Sequence, residues 1–171
     1  MEEVVNKSIQ VIGFTRNADF QLPVLNTDKE LLQENIILLR VGCQHEEFLN
    51  VLQQVRAEDI MLVDLDRVAL PMLNALGQAY GKTERKDHIY YVSSRKRKLW
   101  LGFVDTVLWR SDRSITDSPV LIGNKSLFMK AYAGNDLDGN LLRAVSYSLQ
   151  KAFVKFGTLE VSVTWKDLEN V

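Results

Sequence analysis

Three side chains with usable chemistry stand at the ends of predicted strands: the carboxylate of Asp64, the hydroxyl of Ser93 and the guanidinium of Arg110. In an open parallel sheet, ligands and reacting groups collect at the carboxyl ends of the strands. Each of the three also has an ordinary reading. An aspartate at a strand end commonly caps the next helix or pairs with a nearby cation. Ser93 and Ser94 are loop residues ahead of a basic run, and Arg110 has Asp112 close by for a solvated pairing. A second constellation is the row Arg95, Lys96, Arg97 and Lys98, followed by Trp100. Contact with nucleic acid, with the tryptophan stacking on a base, is one use of such a row, and a solvated strand end is the plainer one. Trp100, Phe103 and Trp109 equally suit core, rim or a protein interface.

Much chemistry is excluded. The lone Cys43 rules out a disulfide framework, and one cysteine with two histidines cannot build a typical zinc site without carboxylates. There is no glycine-rich phosphate loop after the first strand, no nucleophile elbow and no cysteine–histidine pair in recognisable context. No metal and no cofactor are expected. The net charge of -1 offers no general attraction for nucleic acid, so such binding needs a local patch. Residues 1–6 are acidic, and no apolar run approaches bilayer length. The expectation is a reducing, cytoplasmic setting without membrane insertion.

The elements that must position these side chains follow from hydrophobic spacing. At 171 residues and 46% hydrophobic content, the chain can bury one good core without disulfides or metals. Ser8 to Phe14 reads as a first strand, and Thr27-Asp-Lys-Glu as the capping box of a short helix to about Glu34. The apolar run Asn35 to Val41 is a strand covered on both faces. Phe48, Leu49, Leu52 and Val55 mark a helix from His45, and Ile60 to Leu65 a buried strand. Leu70, Leu73, Leu76 and Tyr80 mark the next helix, with Pro71 in its first turn and Gly81 as its stop. His88 to Val92 is the fourth strand and Phe103 to Trp109 the fifth, before a linker over Ser111 to Ser118. Strands separated by helices of this length run parallel, which gives a doubly wound α/β sheet.

Beyond the linker, Val120 to Ile122 and Leu127 to Tyr132 flank Gly123-Asn-Lys-Ser and predict a hairpin. Leu142, Val145, Leu149, Ala152 and Phe156 predict a helix from about Asp136 to a cap at Gly157. Leu159, Val161, Val163 and Trp165 alternate with polar residues as a final strand.

The order of these elements resembles a response-regulator receiver domain over Ser8 to Arg113. AEDIMLVD (Ala57 to Asp64) resembles its phospho-acceptor strand, IYYVSS (Ile89 to Ser94) the strand ending in its hydroxyl switch, and GFVDTVLWR (Gly102 to Arg110) the segment leading to its lysine. VGCQHEEFLNVLQQV (Val41 to Val55) resembles its second strand and helix. The resemblance implies Asp64 as acceptor, Ser93 as switch and Arg110 as clamp. The chain departs from it where a receiver holds Mg²⁺ with an acid pair: Gly13, Phe14 and Thr15 stand there instead. Arg110 in place of lysine changes geometry, and the interval from Ser93 to Arg110 is short for a whole helix.

The expectation is therefore a five-stranded receiver-like (flavodoxin-like) domain, residues 1–113, with a β-β-α-β unit, residues 114–171. Its expected role is that of a non-catalytic adaptor working through protein contacts, self-association included. The competing readings are a phosphorylated switch at Asp64 and nucleic-acid binding through Arg95 to Lys98. A fourth reading is enzymatic: Asp64-Leu-Asp66 resembles the nucleophile motif of haloacid-dehalogenase-like phosphatases, and LIGNK (Leu121 to Lys125) a later motif. That pattern wants Gly where Arg67 stands and an acid where Asn124 stands.

Overall fold

The computed structural model describes residues 9–17, 19–21, 36–39, 45–92, 97–100, 103–107, 115, 118–131 and 141–159, with 45, 46, 97–100 and 103–107 as backbone. In chain order the elements are β1 (Ile9–Phe14), β2 (Ile36–Leu39), α1 (His45–Gln54), β3 (Asp59–Asp64), α2 (Met72–Gly81), β4 (His88–Val92), β5 (Arg97–Trp100), β6 (Phe103–Val107), β7 (Val120–Asn124), α3 (Lys125–Phe128), α4 (Leu141–Lys151) and β8 (Lys155–Leu159).

Six strands form one mixed sheet in the order β2-β1-β3-β7-β4-β8. β1 pairs in parallel with β2 and β3, and β4 in parallel with β8. β7 alone runs against its neighbours, joining β3 to β4. The apolar strands alternate between two buried faces, as strands covered on both sides must. Ile12, Phe14, Ile60, Leu62 and Leu121 face α1, α3 and α4 through Phe48, Leu52, Phe128, Val145 and Leu149. Val11, Met61, Val63, Val120 and Ile122 belong to the opposite cluster with Met72, Leu73, Leu76 and Tyr80 of α2. The fold class is thus α/β around a mostly parallel sheet.

The expected wrapping needs four corrections. A receiver-like, flavodoxin-like sheet continues 2-1-3-4-5, so β4 would lie beside β3; here β7 fills that place. Of the expected fifth strand, Phe103 to Trp109, the described part Phe103–Val107 instead pairs as β6 with β5 in a separate antiparallel ribbon. No hairpin follows Gly123, because Asn124 caps α3 by accepting the Ser126 N–H at 2.9 Å. α4 ends at Lys151, and Gly157 lies inside β8.

Strands from both sides of residue 113 therefore share one sheet. The predicted helix over 27–34, the linker apart from Ile115 and Ser118, and the final strand beyond Leu159 lie outside the described residues.

Candidate functional site

The chain leaves β1 to one side for β2 and returns on the other side for β3, so the β1/β3 boundary is where the strand order reverses. Ligand crevices in open α/β sheets form at the carboxyl side of such a boundary. Several backbone ties hold this edge together. The Thr15 N–H donates to Leu39 O at 3.0 Å, the Leu65 N–H to Phe14 O at 2.9 Å, and the Asp64 N–H to Pro119 O at 2.8 Å. Leu65 folds over Gly13 so closely that a Cβ on Gly13 would sit 2.5 Å from its Cδ1. Glycine at 13 thereby lets the turn after β3 lie down across β1.

That turn carries Asp66 to the end of β1. Its Oδ1 accepts the Thr15 hydroxyl at 2.7 Å and its Oδ2 accepts the Arg16 N–H at 2.8 Å. Thr15 is fully buried, and its Oγ1 also accepts the Asn17 N–H at 3.1 Å. The place after β1 that lacks an acid pair of its own thus receives a carboxylate from β3. Asp66 is half-buried, and a carboxylate oxygen that accepts one hydrogen bond has a second lone pair to offer.

Asp64 stands beside it and is only 5% exposed. Its Oδ1 accepts the Asp66 N–H at 3.0 Å. Burial pushes its carboxyl above the ordinary 3.8, and the Asp66 charge adds to this; the Asp66 N–H and the charges of Arg67 and Arg16 oppose it. The edge therefore combines two carboxylates with two guanidinium charges close enough to be felt.

On the other side of β3, Ser118 is buried and fastens β4 to β7. Its Oγ accepts the Val92 N–H at 3.1 Å and the Val120 N–H at 3.3 Å, and donates to Val120 O at 2.7 Å. Val92, the last residue of β4, and Ser118, just ahead of β7, thus meet at this same edge.

Of the expected site residues, Asp64 lies where the spacing put it. Ser93, Arg95, Lys96 and Arg110 lie outside the described residues. Arg97, Lys98 and Trp100 belong to β5, opposite Val107, Thr106 and Phe103 of β6. Local spacing does not single out Thr15 or Arg16, and it points to Asp66 only through the phosphatase-like motif. The one available signal was the Asp-Leu-Asp pattern closing an apolar strand.

No protein-family model and no curated protein matches the chain. Among solved structures, one similar to it is a 4-diphosphocytidyl-2C-methyl-D-erythritol synthase from Anaerococcus prevotii, with 10% identity, 99% of this chain and 95% of that one covered, and a TM-score of 0.45. A likeness of that degree carries no argument about activity.

Proposed function

We propose that the chain is a binding domain for a small phosphate-bearing ligand of the nucleotide type, taken up with a divalent cation at the carboxyl edge of β1 and β3. The observation that carries this reading is the convergence of Asp64 and Asp66 at the point where strand order reverses, with Asp64 buried and accepting the Asp66 N–H and Asp66 reaching across to the end of β1. Mg²⁺ commonly binds through one or two protein carboxylates and completes its shell with substrate phosphates and water. A pair of acids therefore suffices when the ligand brings oxygens of its own. Asp66 is the direct ligand in this reading, Asp64 its companion toward cation or ligand hydroxyl, and Thr15 a positioning residue. Arg16 and Arg67 offer positive charge to the phosphates.

Equilibrium binding of a fluorescent nucleoside diphosphate, with and without Mg²⁺, tests the proposal. Mg²⁺-dependent binding that falls at least tenfold in Asp66→Ala supports it. Binding that is absent, or indifferent to Mg²⁺ and to Asp66, overturns it.

A second reading keeps the adaptor role, with protein contacts or self-association as the output. It draws on Met129, Tyr147 and Phe153, exposed apolar side chains open to a partner, and competes with a phosphorylated switch at Asp64. Beryllofluoride with Mg²⁺ separates the two: a saturable tryptophan fluorescence change abolished by Asp64→Asn would restore the switch.

A further inference from the structure

Helix α4 ends in a Schellman turn. The Phe153 N–H donates to Gln150 O at 3.0 Å and the Val154 N–H to Leu149 O at 3.1 Å. Val154 and Leu149 are both buried in the same core cluster, as this motif favours. The position between them needs a left-handed backbone and usually holds glycine. Here it is Phe153, at φ 60, with its side chain 91% exposed. A bulky residue at positive φ is strained, and this one recovers nothing by burial.

Phe153 is not isolated. Among the described residues the exposed large apolar side chains are Met129, Tyr147 and Phe153, all on or just after α3 and α4, which touch one another. The described residues of 125–131 and 141–159 carry Lys125, Lys130, Arg143, Lys151 and Lys155 and no acid. That concentration of positive charge stands in a chain whose net charge is -1. Lys125 is engaged with Val55 O at 2.7 Å, and Lys155 lies 3.9 Å from Asp87 Oδ2. Lys130 and Lys151 are exposed, the latter with its Nζ 4.6 Å over the Tyr147 ring.

We propose that this face docks the protein on an anionic lipid surface, with Phe153 entering the headgroup boundary and Lys130, Lys151 and Lys155 facing the phosphates. Protruding aromatic and thioether side chains among lysines match an interface that deforms around them and carries opposite charge. The contact is peripheral, since no helix among the described residues is long and apolar enough to cross a membrane. Phe153 precedes β8 and so lies at the amino edge of the parallel strands, opposite Asp64 and Asp66. Docking therefore leaves the proposed ligand edge open and stands independently of it.

Co-sedimentation of the full chain with phosphatidylcholine vesicles, with and without about one third phosphatidylserine, tests the proposal. The expected result is binding to the anionic vesicles alone, weakening as salt rises. Phe153→Gly should bind about fivefold or more weakly while melting at a higher temperature, because glycine relieves the turn; Lys151→Glu with Lys155→Glu should abolish binding. Equal affinity of Phe153→Gly and the parent, or no binding to anionic vesicles, overturns the proposal. So does a vesicle-free dimer in sedimentation velocity that Phe153→Gly dissolves, which would assign the face to a second copy.

Discussion

Asp64 is placed where charge is costly, and this has a consequence for pH. Its folded-state carboxyl sits above the ordinary 3.8 because of burial. Between the two values the folded chain binds more protons than the unfolded one, so this residue's contribution to stability falls as pH rises through that window. Asp64→Asn keeps an oxygen to accept the Asp66 N–H and removes the charge. Thermal melts should find the variant at least as stable as the parent at pH 7, with the gap shrinking toward pH 4, while Mg²⁺-dependent ligand binding is lost. Parallel melting profiles of the two proteins would contradict the assignment. Thr15→Val removes a buried hydroxyl that serves both Asp66 and the Asn17 N–H. It should cost about 1–3 kcal/mol, seen as a lower melting temperature, and should weaken cation binding along with it.

At the scale of elements, β7 is the piece that joins the two parallel halves, and Ser118 is its fastening. Ser118→Ala leaves the N–H groups of Val92 and Val120 without that hydroxyl. The expected loss is about 1–3 kcal/mol, or roughly 2–4 °C of melting temperature per kcal/mol for a chain of this size. A melting point unchanged within error would remove the fastening role. β3, α1 and α2 were legible in the sequence because their apolar spacing is local and unambiguous. From sequence β7 reads as one arm of a hairpin, because Asn124 and Ser126, which signal a turn, are also the residues that cap a helix. The end of α4 was invisible for a related reason: Phe153 occupies the turn where glycine is expected. Gly157, the glycine taken for that end, serves β8, where a Cβ would come within 2.6 Å of Tyr90 Cε1. Asp64 could be placed at a strand end from spacing alone. The bond of Asp66 to Thr15 spans 51 residues and depends on β1 lying beside β3, which no local pattern encodes.

In the molecule as a whole, order along the chain and order across the sheet differ, and that difference makes the chain interdependent. β7, drawn from beyond residue 113, separates β3 from β4, and Leu121 and Ile122 supply core on opposite faces. A chain cut after residue 113 should therefore lose its cooperative thermal transition and near-ultraviolet dichroism. Retention of both would show that the first 113 residues fold alone. The same interleaving brings the carboxyl ends of β1, β3 and β4 to one edge, where a ligand can meet groups distant in sequence. The most direct test of that edge is a Mn²⁺ titration followed by electron paramagnetic resonance, in the presence of a nucleoside diphosphate. The expected result is that the protein depletes the free Mn²⁺ signal beyond what the nucleotide alone achieves, and that Asp66→Asn, with unchanged circular dichroism, needs at least tenfold more protein to do so. Depletion no greater than with nucleotide alone, or an Asp66→Asn variant that matches the parent, would contradict it.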